Sequence, residues 1–150
     1  MDEGVYVVGA ATNQEGEYVL TISEHGYGKM TLIPEYRLTQ RGSKGVGTMN
    51  TTDKVGMVAA MKVVTGEEDL LITTDRGIVI RTSLTSVARS GRNTQGVRII
   101  RLDEGQTVAS IAVVEPEEEE ENVEITEEVV TSEVTENVEN KEENNEEPTE

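Results

Sequence analysis

The segment Thr-Ile-Ser-Glu-His-Gly at residues 21–26 is repeated 51 residues later as Ile-Thr-Thr-Asp-Arg-Gly at residues 72–77. The loop Arg-Gly-Ser-Lys-Gly-Val at 41–46 returns at the same spacing as Arg-Asn-Thr-Gln-Gly-Val at 92–97. A fixed period of this length is typical of propellers and solenoids, in which each copy is one small group of secondary-structure elements. The period therefore predicts two copies of one structural unit, which we call the first and second repeats.

Each repeat contains short runs of β-branched residues that end at glycine-containing turns. Tyr18–Ser23 and Lys29–Ile33 are predicted to form a hairpin in the first repeat, as Leu70–Thr74 and Ile78–Thr82 are in the second. Four strands in this length are typical of one propeller blade, so the predicted fold class is all-β and propeller-like. The remaining predicted strands are Val46–Met49, Val58–Val64, Val97–Leu102 and Thr107–Val114.

The domain organisation is predicted from the period. Residues 17–66 and 67–114 are predicted to be two blades, the second being the last, and residues 1–16 the end of a preceding blade. Two blades cannot close a ring, because stacked units bury their faces against neighbours and about three or more are usually needed for stability. We therefore expect the sequence to be the C-terminal piece of a longer protein.

Charge is unevenly distributed along the chain. Residues 1–114 contain 12 Lys and Arg and 13 Asp and Glu, a net charge of −1, whereas residues 115–150 carry a net charge of −16. The latter segment holds only scattered valines and one isoleucine, which cannot offset its conformational entropy, so it is predicted to be a disordered acidic tail. A tethered polyanion of this kind is expected to compete with an anionic ligand for a basic surface.

Composition excludes several classes of protein. The chain has no cysteine, so a disulfide or a thiolate metal site is impossible, and no metal site is expected elsewhere. No apolar run reaches the roughly 18 residues of a membrane span, and the acidic N-terminus is unlike a signal peptide, so no membrane partner is expected. Phe and Trp are absent, so the core is expected to be thin and aliphatic.

The repeated loop of the first repeat combines glycines with cations. Gly42 and Gly45 permit a tight backbone with exposed N–H groups, while Arg41 and Lys44 bring two cations to the same loop. Amides and cations together suit phosphate oxygens, although Lys44 precedes Gly45 and the loop is therefore not a P-loop. A basic but ordinary turn is the alternative. The second copy of the loop favours an extended anionic ligand.

Other cations lie near these loops in both repeats, and arginine, which can bind phosphate through two parallel hydrogen bonds, predominates. Alternatively, these cations are solvated strand residues that keep a β-rich body soluble. The predicted structural turn residues are Gly26, Gly42, Gly45, Gly77 and Gly96. The candidate binding residues are Lys29, Arg37, Arg41, Lys44, Arg81, Arg89 and Arg92.

No catalytic residue is predicted. His25 is the only histidine and lies in a glycine-rich turn, and the serines lack a histidine partner in their sequence context. Tyr27 and Tyr36 are expected to cover the thin core, and stacking on a nucleobase is the alternative.

Three segments resemble the C-terminal domain of the bacterial DNA gyrase A protein, and the resemblance covers nearly all of residues 4–114. It implies a six-bladed β-pinwheel, a propeller relative in which strands cross between neighbouring blades. The segments are Glu-Tyr-Val-Leu-Thr-Ile-Ser-Glu-His-Gly-Tyr-Gly-Lys-Met-Thr at 17–31, Glu-Tyr-Arg-Leu-Thr-Gln-Arg-Gly-Ser-Lys-Gly-Val at 35–46 and Gly-Arg-Asn-Thr-Gln-Gly-Val-Arg-Ile-Ile-Arg-Leu at 91–102.

The resemblance also implies a function. In that family the domain binds double-stranded DNA around its outer rim and wraps it, which supports ATP-dependent negative supercoiling by the whole type II topoisomerase, an isomerase. The implied partners are duplex DNA and the remainder of the gyrase A and gyrase B subunits, in a heterotetramer in the bacterial cytoplasm at the chromosome. ATP and Mg are expected in the parent complex, and no cofactor in this fragment. The seven candidate cations would then contact the DNA backbone.

One signature of the family is altered in this sequence. The family's box reads Gln-Arg-Arg-Gly-Gly-Lys-Gly in the first blade, whereas Gln-Arg-Gly-Ser-Lys-Gly at 40–45 is a shorter echo in a late blade. The decisive box is therefore expected outside this sequence. Two alternatives stay open, namely the C-terminal domain of topoisomerase IV and a protein-binding propeller module. The acidic tail and the 51-residue period favour gyrase.

Overall fold

The computed structural model describes residues 4–117, which form two antiparallel β-sheets. No helix in this range is long and apolar enough to cross a membrane. The predicted acidic tail lies outside the described residues, apart from its first three positions. The strands are β1 (Tyr18–Ser23), β2 (Tyr27–Leu32), β3 (Val58–Val64), β4 (Asp69–Thr74), β5 (Val79–Ser83), β6 (Val97–Arg98) and β7 (Val108–Val114), and two short 3-10 helices span Ile33–Glu35 and Leu84–Ser86.

The first sheet has the strand order β3-β1-β2-β6 and the second the order β5-β4-β7. Both predicted hairpins are confirmed, β1 with β2 and β4 with β5. The two sheets also share an irregularity, since the register shifts at Ser23 in β1 and at the equivalent Thr74 in β4. Bulges of this kind bend a strand and sharpen its twist, so the 51-residue period extends to the details of the backbone.

Strand β6 lies in the second repeat of the sequence but belongs to the first sheet. Val97 pairs with Gly28 and Arg98 pairs with Tyr27, both on β2. Further along, Met30 of β2 donates its N–H to the carbonyl oxygen of Ala88 at 3.0 Å. The second repeat therefore crosses over and completes the sheet of the first, as the pinwheel resemblance implies.

Two glycines, Gly96 and Gly28, allow the backbones to approach closely at this crossing. Gly96 has a φ of 73°, and a Cβ atom added to it would lie 2.5 Å from the carbonyl oxygen of Gly28. Among the other predicted turn residues, Gly26, Gly42 and Gly77 also have a positive φ. Gly45 is the exception: it has no positive φ and no neighbour within 4 Å of an added Cβ, so nothing in its surroundings requires glycine.

Of the other strand predictions, one is wrong and one is only partly confirmed. Residues 46–49 form no strand, and only Val97–Arg98 of the predicted strand Val97–Leu102 is a strand. The physical reason is the crossing, because β6 pairs with the repeat that precedes it, and the described residues 4–16 ahead of the first repeat contain no strand that could pair with 46–49. The segment instead lies over the first sheet, where the Thr48 hydroxyl contacts those of Thr21 at 3.3 Å and Tyr36 at 2.5 Å.

The core is aliphatic, as composition predicted. Leu20, Ile22, Leu70 and Ile72 are fully buried in one cluster to which both sheets contribute. Each fully buried side chain of this type contributes about 1.5–3 kcal/mol relative to exposure. Because side chains alternate along a strand, the opposite face of the first sheet carries buried polar groups, which are Thr21, Ser23, Lys29 and Thr31.

Candidate nucleic-acid interface

The two repeated loops lie against each other. We call residues 41–47 the first basic loop and residues 91–97 the second basic loop. A guanidinium N–H of Arg92 donates to the carbonyl oxygen of Gly47 at 3.0 Å, and the Asn50 N–H donates to the carbonyl oxygen of Thr94 at 3.0 Å. The Arg92 guanidinium also lies 5.9 Å from the centre of the Tyr36 ring. The side chain of Arg92 therefore joins the second basic loop to the first.

The predicted cations of the first basic loop and its approach are exposed. Arg37, Arg41 and Lys44 all have exposed side chains. Within residues 4–117, the ion pairs involve none of these three residues. Uncompensated cations on a loop with free backbone N–H groups are suited to phosphate oxygens, which position a nucleic acid without reading its sequence.

Lys29 requires a correction, because it cannot contact a ligand. Its residue exposure is 0 %, and its ammonium donates to the carbonyl oxygens of Gly91 (2.5 Å) and Arg92 (2.7 Å) and to the Thr94 hydroxyl (3.1 Å). Burial lowers the pKa of the ammonium, with Glu35 opposing this effect and Arg92 adding to it. All three donor positions are used, so Lys29 fixes the second basic loop to the first sheet.

Arg81 is also placed differently from the prediction. Its Nε donates to the Asp69 carboxylate at 2.7 Å, and a second guanidinium nitrogen contacts Glu117. The hydrogen bond that Arg81 donates to Asp69 raises the pKa of the guanidinium. The charge of Arg81 is therefore compensated on the second sheet, away from the two basic loops, and a role in phosphate contact is not supported.

Arginines of the second repeat lie over tyrosines of the first. The tyrosines stand nine residues apart, and each ring has a guanidinium near its centre. Cation–π contacts of this kind are worth about 0.5–1 kcal/mol at exposed sites, and they restrict a side chain that is otherwise free. The pairs are Arg89 with Tyr18 at 5.0 Å, Arg98 with Tyr27 at 5.3 Å and Arg92 with Tyr36 at 5.9 Å.

Sequence reasoning missed two cations, Lys54 and Arg98, that flank Tyr27. The Lys54 ammonium lies 5.7 Å from the centre of the ring, and Arg98 donates to the Tyr27 hydroxyl at 2.8 Å. The even spacing of Tyr18, Tyr27 and Tyr36 could have indicated these cation–π contacts. Three rings at a fixed interval have no counterpart in the second repeat, so the repeat alone does not explain them. Tyr27 is buried, but it lies outside the aliphatic cluster, and its ring supports cations.

Residues 4–117 contain no cluster of three or more His, Cys, Asp and Glu side chains that could hold a metal ion. His25 lies in the β1–β2 turn, where its Nδ1 is 3.1 Å from the carbonyl oxygen of Lys54. The groups available for binding at this site are therefore arginine, lysine and backbone N–H groups, which bind anions through hydrogen bonds and charge.

Comparison with known proteins is consistent with this geometry. The family described as the DNA gyrase C-terminal domain, a β-propeller, matches residues 17–65 and 68–115. The gyrase A protein of Ureaplasma parvum is 46% identical over 113 residues, and that of Staphylococcus aureus strain MRSA252 is 45% identical over 123 residues. These matches cover 75% and 80% of this chain, but the chain spans only 14% of the length of each relative.

Two solved structures share the fold. A gyrase A C-terminal domain superimposes with a TM-score of 0.63 at 25% identity, covering 66% of this chain and 34% of that one. The C-terminal domain of DNA topoisomerase IV superimposes with a TM-score of 0.60 at 24% identity, covering 66% of this chain and 30% of that one. The family match covers most of the described residues and the named relatives are gyrase A proteins, so this chain belongs to the gyrase A C-terminal domain family of β-propellers.

Proposed function

We propose that this chain binds and wraps double-stranded DNA as part of a gyrase A protein. The observation that carries the proposal is the contact between the two basic loops, in which Arg92 of the second reaches the Gly47 carbonyl of the first. Arg92 is thereby held against the loop that carries Arg41 and Lys44, and we infer that these three cations contact one curved duplex. The family membership supports the same function.

The proposed mechanism relies on the phosphate backbone. Contacts from arginine, lysine and loop N–H groups fix the position of the duplex and carry no sequence information themselves. Smooth bending of a 20–30 bp site costs on the order of 1–6 kcal/mol, which the phosphate contacts must offset. Each contact releases counterions, so the logarithm of affinity should fall with the logarithm of salt by about 0.9 per contact.

Lys29 and Tyr36 order this surface before DNA arrives. Lys29 fixes the backbone of the second basic loop through its bonds to Gly91 and Arg92, and Tyr36 lies beneath the Arg92 guanidinium. A loop and a guanidinium that are already ordered lose less conformational entropy on binding, which favours affinity.

The role of the whole protein belongs to the same proposal. We infer that DNA wrapping by this chain supports ATP-dependent negative supercoiling by a type II topoisomerase, an isomerase built from gyrase A and gyrase B subunits in the bacterial cytoplasm. ATP and Mg are expected to act elsewhere in that assembly. This chain would contribute the binding and bending of DNA, and its residues would take no direct part in strand cleavage.

The proposal is tested by removing the charges of the first basic loop. In the intact protein that carries this chain, Arg41→Gln with Lys44→Gln should weaken duplex binding about tenfold or more. The slope of log affinity against log salt should become smaller by the contribution of about two phosphate contacts. Lys62→Gln, which removes an exposed cation on β3, is the matched control. Binding is measured by fluorescence anisotropy over a salt series, and wrapping by the change in linking number of relaxed plasmid.

Unchanged affinity and salt slope in the loop variant would contradict the proposal. A role in a topoisomerase IV is the second candidate, favoured by the shared fold of its C-terminal domain. It predicts duplex binding in the same assay with little topological wrapping, so the plasmid measurement separates the two candidates.

A further inference from the structure

A cleft of about 430 Å³ lies beside the β1–β2 turn. The first repeat contributes His25, Tyr27 and Lys54 to its wall, and the second contributes Arg98, residues 100–103 and residues 105–107. We call it the basic cleft. Its volume is within the range of small-ligand sites, and it is too small for a duplex. None of its cations is among the seven candidate binding residues.

The charge of the basic cleft is positive. Lys54, Arg98 and Arg101 face a single carboxylate in the lining, that of Asp103. Within residues 4–117, the ion pairs involve none of these three cations. Like charges gathered at one concave surface repel each other, and an anion that binds between them removes this repulsion.

Two of the three cations of the basic cleft, Arg98 and Lys54, contact the Tyr27 ring. Arg98 donates to the Tyr27 hydroxyl at 2.8 Å and lies over the same ring, and Tyr27 is only 8 % exposed. Lys54 lies over that ring as well, and it precedes the fully buried Val55, whose carbonyl oxygen accepts the His25 N–H at 3.2 Å. The cleft therefore has an ordered wall, in which two cations contact one buried aromatic ring.

We propose that the basic cleft binds a phosphate group. Guanidinium and ammonium donors around a small cavity recognise its oxygens by charge-assisted hydrogen bonds. The phosphate has two possible sources, a backbone phosphodiester at the flank of a bound duplex or a free compound such as pyrophosphate. The duplex source rests on the proposed function, whereas the free source does not.

The test titrates inorganic pyrophosphate into the full 150-residue chain by isothermal titration calorimetry. We expect binding at one site, weakened about tenfold by Lys54→Gln and by Arg101→Gln, since each removes one charged hydrogen-bond donor. Both variants leave the Arg98–Tyr27 bond in place, and a thermal unfolding curve by circular dichroism checks that they fold. Lys62→Gln should bind pyrophosphate like the unmodified chain. Absence of binding, or equal loss in all three variants, would overturn the proposal.

A second arm identifies the source of the phosphate. Duplex DNA that displaces pyrophosphate from the chain supports the duplex flank as the source, and simultaneous binding of both supports a free compound. Failure of the two proposals is distinguishable. If pyrophosphate binds but duplex binding is unchanged by Arg41→Gln with Lys44→Gln, the wrapping surface is wrong and the cleft stands. If the loop variant loses DNA while pyrophosphate never binds, only the cleft is wrong.

Discussion

The two sheets have the same hairpin and the same bulge in their backbone, but they present different surfaces. The first sheet has four strands because β6 of the second repeat closes its β2 edge, whereas the second sheet has three strands and ends at β5. Within the described residues β5 is uncovered, and Val79 at its start is 58 % exposed. Val79 occupies the position equivalent to Gly28, where an added Cβ would lie 2.4 Å from an Ile99 methyl group. A side chain at this position would require the Ile99 side chain to move from its place in the first sheet.

The same contrast holds for the cations. Tyr18, Tyr27 and Tyr36 of the first repeat each lie beneath an arginine of the second, but the equivalent positions of the second repeat are Asp69, Ile78 and Val87. Asp69, at the position equivalent to Tyr18, forms an ion pair with Arg81 within the second repeat. The comparison teaches that a basic surface forms where two repeats meet, with rings from one and arginines from the next, so that one repeat alone does not build it.

The largest effect is expected where the crossing is tightest, at Gly96. The Gly96→Ala substitution places a Cβ 2.5 Å from the Gly28 carbonyl oxygen at a φ of 73°, so it should destabilise the protein by about 3 kcal/mol or more. The equivalent substitution in the first basic loop is Gly45→Ala, which meets no atom within 4 Å and should change stability by less than about 1 kcal/mol.

Urea unfolding followed by circular dichroism measures both variants, and two similar free energies of unfolding would show that the crossing does not distinguish the loops. The Gly45→Ala substitution is expected to leave the free energy of unfolding unchanged or to raise it, because alanine restricts the unfolded chain more than glycine does.

The period predicted both hairpins and the all-β fold, because turn glycines and β-branched runs are local signals. Strand crossing could not be predicted from such signals, since the partner of Val97 lies 69 positions earlier and nothing local distinguishes pairing within a repeat from pairing between repeats. The family resemblance alone implied it. Among the site residues, the common edge expected for Arg41 and Arg92 stays a prediction, and the structure shows Arg92 bonded to Gly47 of the first basic loop.

The correction at Lys29 has a related cause. A lysine in a strand of alternating pattern is expected to reach solvent, and only the second repeat, folded over β2, buries it. The correction at Arg81 has a different cause, which lies within one repeat. Its partner Asp69 stands where the first repeat has Tyr18. Charge and spacing identify a basic region, and the neighbouring repeat decides which of its cations are free.

A smaller effect is expected from Lys29→Ile, which gives the first sheet the residue found at the equivalent position 80 of the second. The carbonyl group of Arg92 would lose its donor, whereas that of Gly91 would keep the Thr94 hydroxyl, and an unsatisfied buried polar group costs about 1–3 kcal/mol. Amide hydrogen exchange in residues 91–97 should become faster. Lys44→Ile, which removes an exposed lysine from the first basic loop, should change stability by less than about 0.5 kcal/mol.

If Lys29→Ile leaves both the free energy of unfolding and exchange in the second basic loop unchanged, Lys29 does not fix that loop. Duplex affinity provides a further readout, because a looser loop should weaken DNA binding even though Lys29 is buried and touches no phosphate.

The smallest expected effect concerns pH and the turn that joins the repeats. Burial opposes ionisation of Glu68, but its carboxylate accepts the N–H groups of Thr65 (2.8 Å) and Gly66 (2.7 Å), and the net result is a pKa below the usual value. Because the folded pKa lies below the unfolded value of about 4.3, the stabilisation is present above that value and is lost as pH falls through the folded pKa. Glu68→Gln should therefore reduce the fall in melting temperature on acidification. Glu17→Gln, at the equivalent position of the first repeat, is the control, and an equal reduction in both variants would show that the Glu68 hydrogen bonds are not the cause.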